Sequence, residues 1–122
     1  MYEIEFFTKD NGECDVLEWL AELKKQAKTD KDSGVQYRQI NHCLEILKQM
    51  GTYAPQKFVK HIEDDIWELR PGNNRVMLFH FVEGRFVLLH HFRKETQKTP
   101  PQEIERAKRE RNEYLRQKGG KR

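Results

Sequence analysis

Only two cysteines, Cys14 and Cys43, occur in this chain of 122 residues, far apart and without C-x-x-C spacing. That excludes a disulfide-rich secreted scaffold, makes both thiols packing residues and fits a reducing cytoplasm. No apolar stretch approaches the ~18 residues that cross a bilayer, and Met1 to Lys9 alternates apolar and acidic residues, unlike a signal peptide. The expectation is a soluble, cytoplasmic protein. An internal repeat, a glycine-rich phosphate loop, zinc-ligand spacing and a serine-hydrolase motif are also missing. His61, His80, His90 and His91 fall in strand-like sequence without three or four converging as a metal needs, and His42 reads as a packed or surface residue. No metal and no cofactor are expected.

What is present is charge. Hydrophobic residues make up 36% of the chain and charged residues 35%, near the polar end for a folded protein, but aromatics are spread through the strand-like segments. The length suits one domain, expected over 1–118 with a disordered end at 119–122. The net charge of +3 is uneven: residues 1–56 carry 7 basic and 10 acidic side chains, and residues 57–122 carry 16 and 10. The second half fits a nucleic-acid partner without identifying it, and residues 100–122 supply +4 of its excess, which a solvated helix would also explain.

Periodicity gives the elements. Tyr2, Ile4 and Phe6 alternate with Glu3 and Glu5 as in a strand, ended by Asp10-Asn11-Gly12. Val16, Leu20, Leu23 and Ala27 predict a helix from Cys14 to Lys28, with Asp15 and Glu18 near its start. Tyr37, Ile40, Leu44 and Leu47 predict a second helix from Ser33 to Met50, stopped by Gly51. Strands follow at Lys57–Ile62, Asp65–Arg70, Asn74–Val82 and Arg85–Lys94, with turns at Pro71-Gly72-Asn73-Asn74 and Glu83-Gly84. Thr99-Pro100-Pro101-Gln102 reads as a helix start with Thr99 as N-cap. That helix runs to about Gln117 with a thin stripe of Ile104, Ala107, Tyr114 and Leu115, to dock on the sheet edge or on a partner.

A two-residue turn at Glu83-Gly84 sets Val87 opposite His80, Leu89 opposite Leu78, His91 opposite Val76, His90 opposite Met77 and Phe92 opposite Arg75. The preceding turn sets Trp67 opposite Leu78, Leu69 opposite Val76 and Glu68 opposite Met77. One face then carries Trp67, Leu69, Val76, Leu78, Val87 and Leu89, to be covered by the two N-terminal helices. The other carries Phe79, Phe81, Phe86 and Leu88 at one end, and Glu68, Arg70, Arg75, His90, Phe92 and Lys94 at the other. The fold class is α+β: an antiparallel sheet of four to five strands, two helices on one face and a charged C-terminal helix. Arg70 beside Arg75 opposes folding unless an anion relieves it. The plain alternative is that Glu68 pairs with these arginines in a solvated cluster, each pair contributing about 0 to 1 kcal/mol.

Lys60, the strand Trp67-Glu68-Leu69-Arg70, and the segment Leu88-Leu89-His90, Phe92, Lys94, Thr96-Gln97-Lys98-Thr99-Pro100 resemble the HigB-like, phage-derived branch of the RelE/ParE toxin superfamily, over Tyr2 to about Arg111. Glu95 departs from the pattern, which commonly has a basic residue there. The resemblance implies a RelE-like fold and the toxin of a type II toxin–antitoxin module, cutting mRNA on the ribosome without a metal. It implies a helix-turn-helix, HigA-like antitoxin as partner, and contact with operator DNA only through the antitoxin complex.

For such cutting a 2′-hydroxyl attacks the adjacent phosphorus, so a site must take a proton, neutralise the phosphate oxygens and protonate the departing 5′-oxygen. On this reading His90 does acid or base work, Arg70 and Arg75 grip the scissile phosphate, and Lys94 assists. Phe92 stacks on a base, and Lys57, Lys60 and Lys98 track the RNA backbone. Glu68 either orients an arginine or accepts a proton. A ParE-like DNA gyrase inhibitor and a non-catalytic module that binds nucleic acid or antitoxin are the other readings.

Overall fold

A computed structural model describes residues 1–82 and 84–119. The chain forms β1 (Glu3–Phe6), α1 (Asp15–Gln26), α2 (Lys31–Met50), a single 3-10 turn (Gly51–Tyr53), β2 (Val59–Glu63), β3 (Ile66–Leu69), β4 (Asn74–His80), β5 (Arg85–Arg93) and α3 (Pro101–Gly119). The α+β class holds, with one correction: the sheet is mixed. Its order is β1-β5-β4-β3-β2, antiparallel from β2 to β5, with β1 parallel to β5. A parallel pair needs a crossover, and the whole chain between β1 and β5 supplies it. Of the expected disordered end, Gly119 is the last residue of α3 and residues 120–122 lie outside the described residues.

The helical stripes do what their spacing demands. Val16 and Leu23 of α1, with Ile40 and Leu47 of α2, pack on Val59, Leu69, Val76, Leu78, Phe86 and Leu88. Each such aliphatic side chain, fully removed from water, contributes about 1.5–3 kcal/mol. Asp30 starts α2, its carboxylate accepting the Asp32 N–H. At α1 only half of a capping box exists: Glu18 accepts the Cys14 N–H at 3.0 Å, while Cys14 offers no side-chain cap.

The β3–β4 register agrees with the expected one, Trp67 opposite Leu78 and Glu68 opposite Met77. The β4–β5 register differs near the hairpin. Phe81 N–H donates to Arg85 O, and His80 pairs with Phe86, so the connection is one residue longer than a two-residue turn. Gly84 takes it at φ +82, and Glu83 lies outside the described residues. The register shifts back between Met77 and Leu78, where Leu89 is the extra residue of a β-bulge. Beyond the bulge the pairs are as expected: His90 with Met77, His91 with Val76 and Phe92 with Arg75.

Longer turn plus bulge exchanges four side chains between faces. Phe86 and Leu88 join the core under α1 and α2, and Val87 and Leu89 turn to the opposite face. That second face, with Phe7, Ile66, Met77 and Phe79, is covered by α3 through Ala107 and Tyr114. α3 therefore lies across the sheet and not at its edge, and Leu115 of the expected stripe is 40% exposed. Polar ties supplement its small apolar area. Tyr114 hydroxyl donates to Glu5 at 2.8 Å, Arg111 to Asp65 at 2.6 Å and Gln117 to Thr8 O at 3.0 Å.

Candidate active site

At the end of the sheet remote from the β4–β5 turn, β3 delivers Glu68 and, just past its end, Arg70, β4 delivers Arg75, and β5 delivers Phe92 opposite Arg75. Strand alternation puts all four on the α3 face, and Lys60 on β2 joins the row opposite Glu68. Glu68 is the hub, only 1% exposed. Its Oε2 accepts Arg70 Nε at 3.1 Å and lies 3.7 Å from Arg75 Nε, and its Oε1 accepts the Thr99 hydroxyl at 2.6 Å. Thr99 is thus no N-cap. Its hydroxyl is committed to Glu68, and α3 begins at Pro101 with Glu103 and Ile104 N–H groups bonded to Pro100 O.

The two arginines are not equivalent. Arg75 is buried, and its Nη1 donates to Gly72 O at 2.9 Å and Asn74 O at 2.8 Å. Burial lowers its pKa, opposed by Glu68 and reinforced by Arg70. Arg70 is more open and spends one nitrogen on Glu68. The repulsion expected between them is met by the one carboxylate between them.

Two hollows adjoin this hub. A pit between Glu68, Arg75, Phe92 and Lys94, closed by the loop from Glu95 to Pro100, encloses about 10 Å³, room for one water. Beside it a cavity of about 490 Å³ opens between β2 and the same loop, with Lys60, Arg70 and Lys98 on its walls, Ile62 and Ile104 among its apolar lining, and no carboxylate. The structure thus gathers Lys60 and Arg70 at one hollow and Glu68, Arg75, Phe92 and Lys94 at the next, with Lys98 and Thr99 lining both. Lys57 is in neither, its Nζ lying 5.0 Å from the Phe58 ring centroid. A separate cavity of about 710 Å³ lies elsewhere, between β1 and α2, and contains none of these groups.

His90 is on the expected face but fully buried beneath α3. Its Nδ1 lies 2.5 Å from Glu110 Oε1 and its Nε2 2.9 Å from Glu103 Oε1. With both carboxylates ionised, both bonds need the imidazolium, which has no lone pair left to take a proton. A second network continues from Glu110 to Arg106 at 3.2 Å and on to Asp15, which accepts His91 Nδ1 at 2.6 Å and His91 N–H at 2.9 Å. The His91 ring stacks on Trp19, with centroids 4.3 Å apart.

Sequence reasoning missed Glu103 and Glu110 because an acidic residue in a charged helix reads as solvated. The signal was spacing: Glu103, Ala107, Glu110 and Tyr114 recur at three and four residues, so two acids stand on the buried stripe. The family described as phage-derived protein Gp49-like (DUF891) matches residues 18–112, which span α1 from Glu18 onward, α2, β2 to β5 and α3 as far as Asn112. No curated protein matches the chain.

Proposed function

We propose, from the premise that this chain belongs to the Gp49-like phage-derived family within the RelE/HigB-type toxins, that it is a HigB-like endoribonuclease acting on mRNA at the ribosome. The observation that carries the reading is the acid-free cavity of about 490 Å³ walled by Lys60, Arg70 and Lys98, joined through Arg70 to a second arginine held by one buried carboxylate. Lys60, Lys94 and Lys98 make no ion pair among the described residues, so their charge is free for phosphates. Such a wall attracts a single-stranded backbone, and Phe92 offers a ring to a base.

In the reaction the 2′-hydroxyl attacks phosphorus and the 5′-oxygen leaves, giving a 2′,3′-cyclic phosphate and a 5′-hydroxyl without a metal. Arg70, Arg75 and Lys94 neutralise the crowded phosphate oxygens, and His90 as the imidazolium gives a proton to the departing 5′-oxygen, while the 2′-hydroxyl loses its proton to water, which returns one to the ring. The contacts of Glu68 with both arginines favour its role as their orienter over that of proton acceptor. Lys57, Lys60 and Lys98 follow the chain on either side of the break. A HigA-like helix-turn-helix antitoxin is the partner in the cytoplasm, and operator DNA is met only through that complex.

The burial of His90 favours a second reading, in which the same basic surface binds without cutting, as a gyrase inhibitor of the ParE type or a binding module does. Expressing the chain alone and mapping RNA ends separates them. New ends in translated messages, abolished by His90→Ala with Arg75→Ala, support the nuclease. Stabilised gyrase–DNA breaks with intact RNA, or cutting that survives the double substitution, would overturn it.

A further inference from the structure

We propose that Glu110 and Glu103 have separate tasks at His90: Glu110 is a positioning residue that fixes the ring through Nδ1, and Glu103 is an internal anion that caps Nε2 until an RNA phosphate displaces it. The inference rests on the endoribonuclease reading and names how that site is kept closed.

The two carboxylates are held unequally. Glu110 is 7% exposed and its second oxygen accepts Arg106 Nε at 3.2 Å, so it is anchored whether or not His90 is present. Glu103 stands in the first turn of α3, is 18% exposed, and has His90 as its one side-chain partner among the described residues. An anion from solution that competes for the imidazolium displaces the less anchored of the two.

Opening at Glu103 also opens the pit. The segment from Lys94 to Pro100 roofs Arg75, and Thr99 pins that roof to Glu68 at 2.6 Å, two residues before α3 begins at Pro101. At about 10 Å³ the closed pit holds no phosphate. The far half of α3 is tied independently, by Arg111 to Asp65, Tyr114 to Glu5 and Gln117 to Thr8 O, so the first turn lifts without loss of the helix. One movement then bares His90 Nε2 and Arg75 together. They are diagonal neighbours across β4 and β5, since Met77 pairs with His90 and Arg75 with Phe92. Such diagonal neighbours stand about 7–8 Å apart at the backbone, within reach of long side chains, so both can approach one phosphate group. With Nδ1 retained by Glu110 and Nε2 released, the ring gains the carboxylate–imidazole arrangement that directs a histidine in acid–base work.

The test uses the full chain with Glu103→Gln, Glu103→Asp and Glu110→Gln, each checked for a native circular dichroism spectrum. Deuterium exchange at His90 Cε1 reads access to the ring, with and without an RNA oligonucleotide made uncleavable by 2′-deoxy substitution. Cleavage of ribosome-bound message is measured in parallel. Glu103→Gln is expected to quicken both exchange and cleavage about tenfold, the size of one charge-assisted hydrogen bond. The oligonucleotide is expected to quicken exchange in the wild type more than in Glu103→Gln. Glu110→Gln is expected to keep KM and lower kcat by about 10²-fold, with a displaced pH profile. Exchange in folded Glu103→Gln and Glu103→Asp equal to wild type overturns the proposal, and so does slower cutting by Glu103→Gln. Faster exchange in a protein that cuts no RNA upholds the cap on Nε2 and removes the nuclease reading instead.

Discussion

Replacing Glu68 with glutamine tests the hub of the site directly. The carboxylate is 1% exposed and faces two guanidinium groups, one of which, on Arg75, is itself buried. Removing one partner of a buried pair costs about 3–5 kcal/mol because the other charge is left uncompensated. Three features place Glu68→Gln at the lower end. Arg75 keeps its bonds to Gly72 O and Asn74 O, Arg70 turns to solvent, and glutamine can still accept the Thr99 hydroxyl. The expected loss is therefore about 3 kcal/mol. With an m-value of about 1.5–2 kcal/mol/M for urea, the unfolding midpoint falls by roughly 1.5–2 M. In that background Arg75→Met removes the stranded charge, so the double variant should regain more than half of the loss, a coupling of about 2 kcal/mol. Equilibrium urea unfolding followed by tryptophan fluorescence measures all four proteins. A Glu68→Gln midpoint within ~0.3 M of wild type, or losses that simply add in the double variant, would falsify the assignment of Glu68 as the charge that holds the arginines.

Gly51 sits at φ +57 with the Tyr2 ring against the position a Cβ would take, whereas Gly12 at φ +92 has open space. Gly51→Ala should therefore cost about 2 kcal/mol or more and Gly12→Ala only the backbone share of about 1, measured by thermal unfolding; equal losses would remove the steric argument. Burial pushes the Cys43 thiol up to about 11. In native protein at pH 8 it should resist maleimide and react only at the rate of unfolding, and prompt native labelling of Cys43 by mass spectrometry would contradict this. At Asp15 burial raises the pKa, but hydrogen bonds from the His91 side chain and backbone, with the charges of His91 and Arg106, outweigh it and hold the group below its usual 3.8. A depressed carboxyl stabilises the fold above its unfolded pKa and stops doing so as pH falls through the folded one. Asp15→Asn should thus be less stable than wild type by about 1 kcal/mol at pH 7, with the gap closing below pH 3.8. A gap that does not narrow between pH 7 and pH 2.5 in urea unfolding would contradict this reasoning.

Much of the fold was legible because it depends on local periodicity. The stripes of α1 and α2, the turn at Gly72 and the β3–β4 register follow from spacing and turn chemistry alone, and they suffice to place Glu68, Arg70 and Arg75 on one face. His90 also landed on the expected face, for a reason the sequence does not display. The longer β4–β5 turn shifts the pairing by one residue and the bulge at Leu89 shifts it back, so the two departures cancel beyond Met77. Val87, Leu89, Phe86 and Leu88 lie between them and were therefore assigned to the wrong faces.

Amino-acid order by itself determined which side chains share a face in β3 and β4, where the alternation of an extended backbone is unbroken, but not in β5, where the bulge at Leu89 interrupts it. Only the tertiary structure decided which of those side chains solvent can reach. α3 has too few apolar residues to announce where it docks, and two acids on its buried stripe find their partner only when the sheet presents His90 beneath them. Burial and hydrogen bonding across seventy or more residues of chain depend on distances in space, such as Asp15 to His91 or Glu5 to Tyr114, that no local pattern encodes.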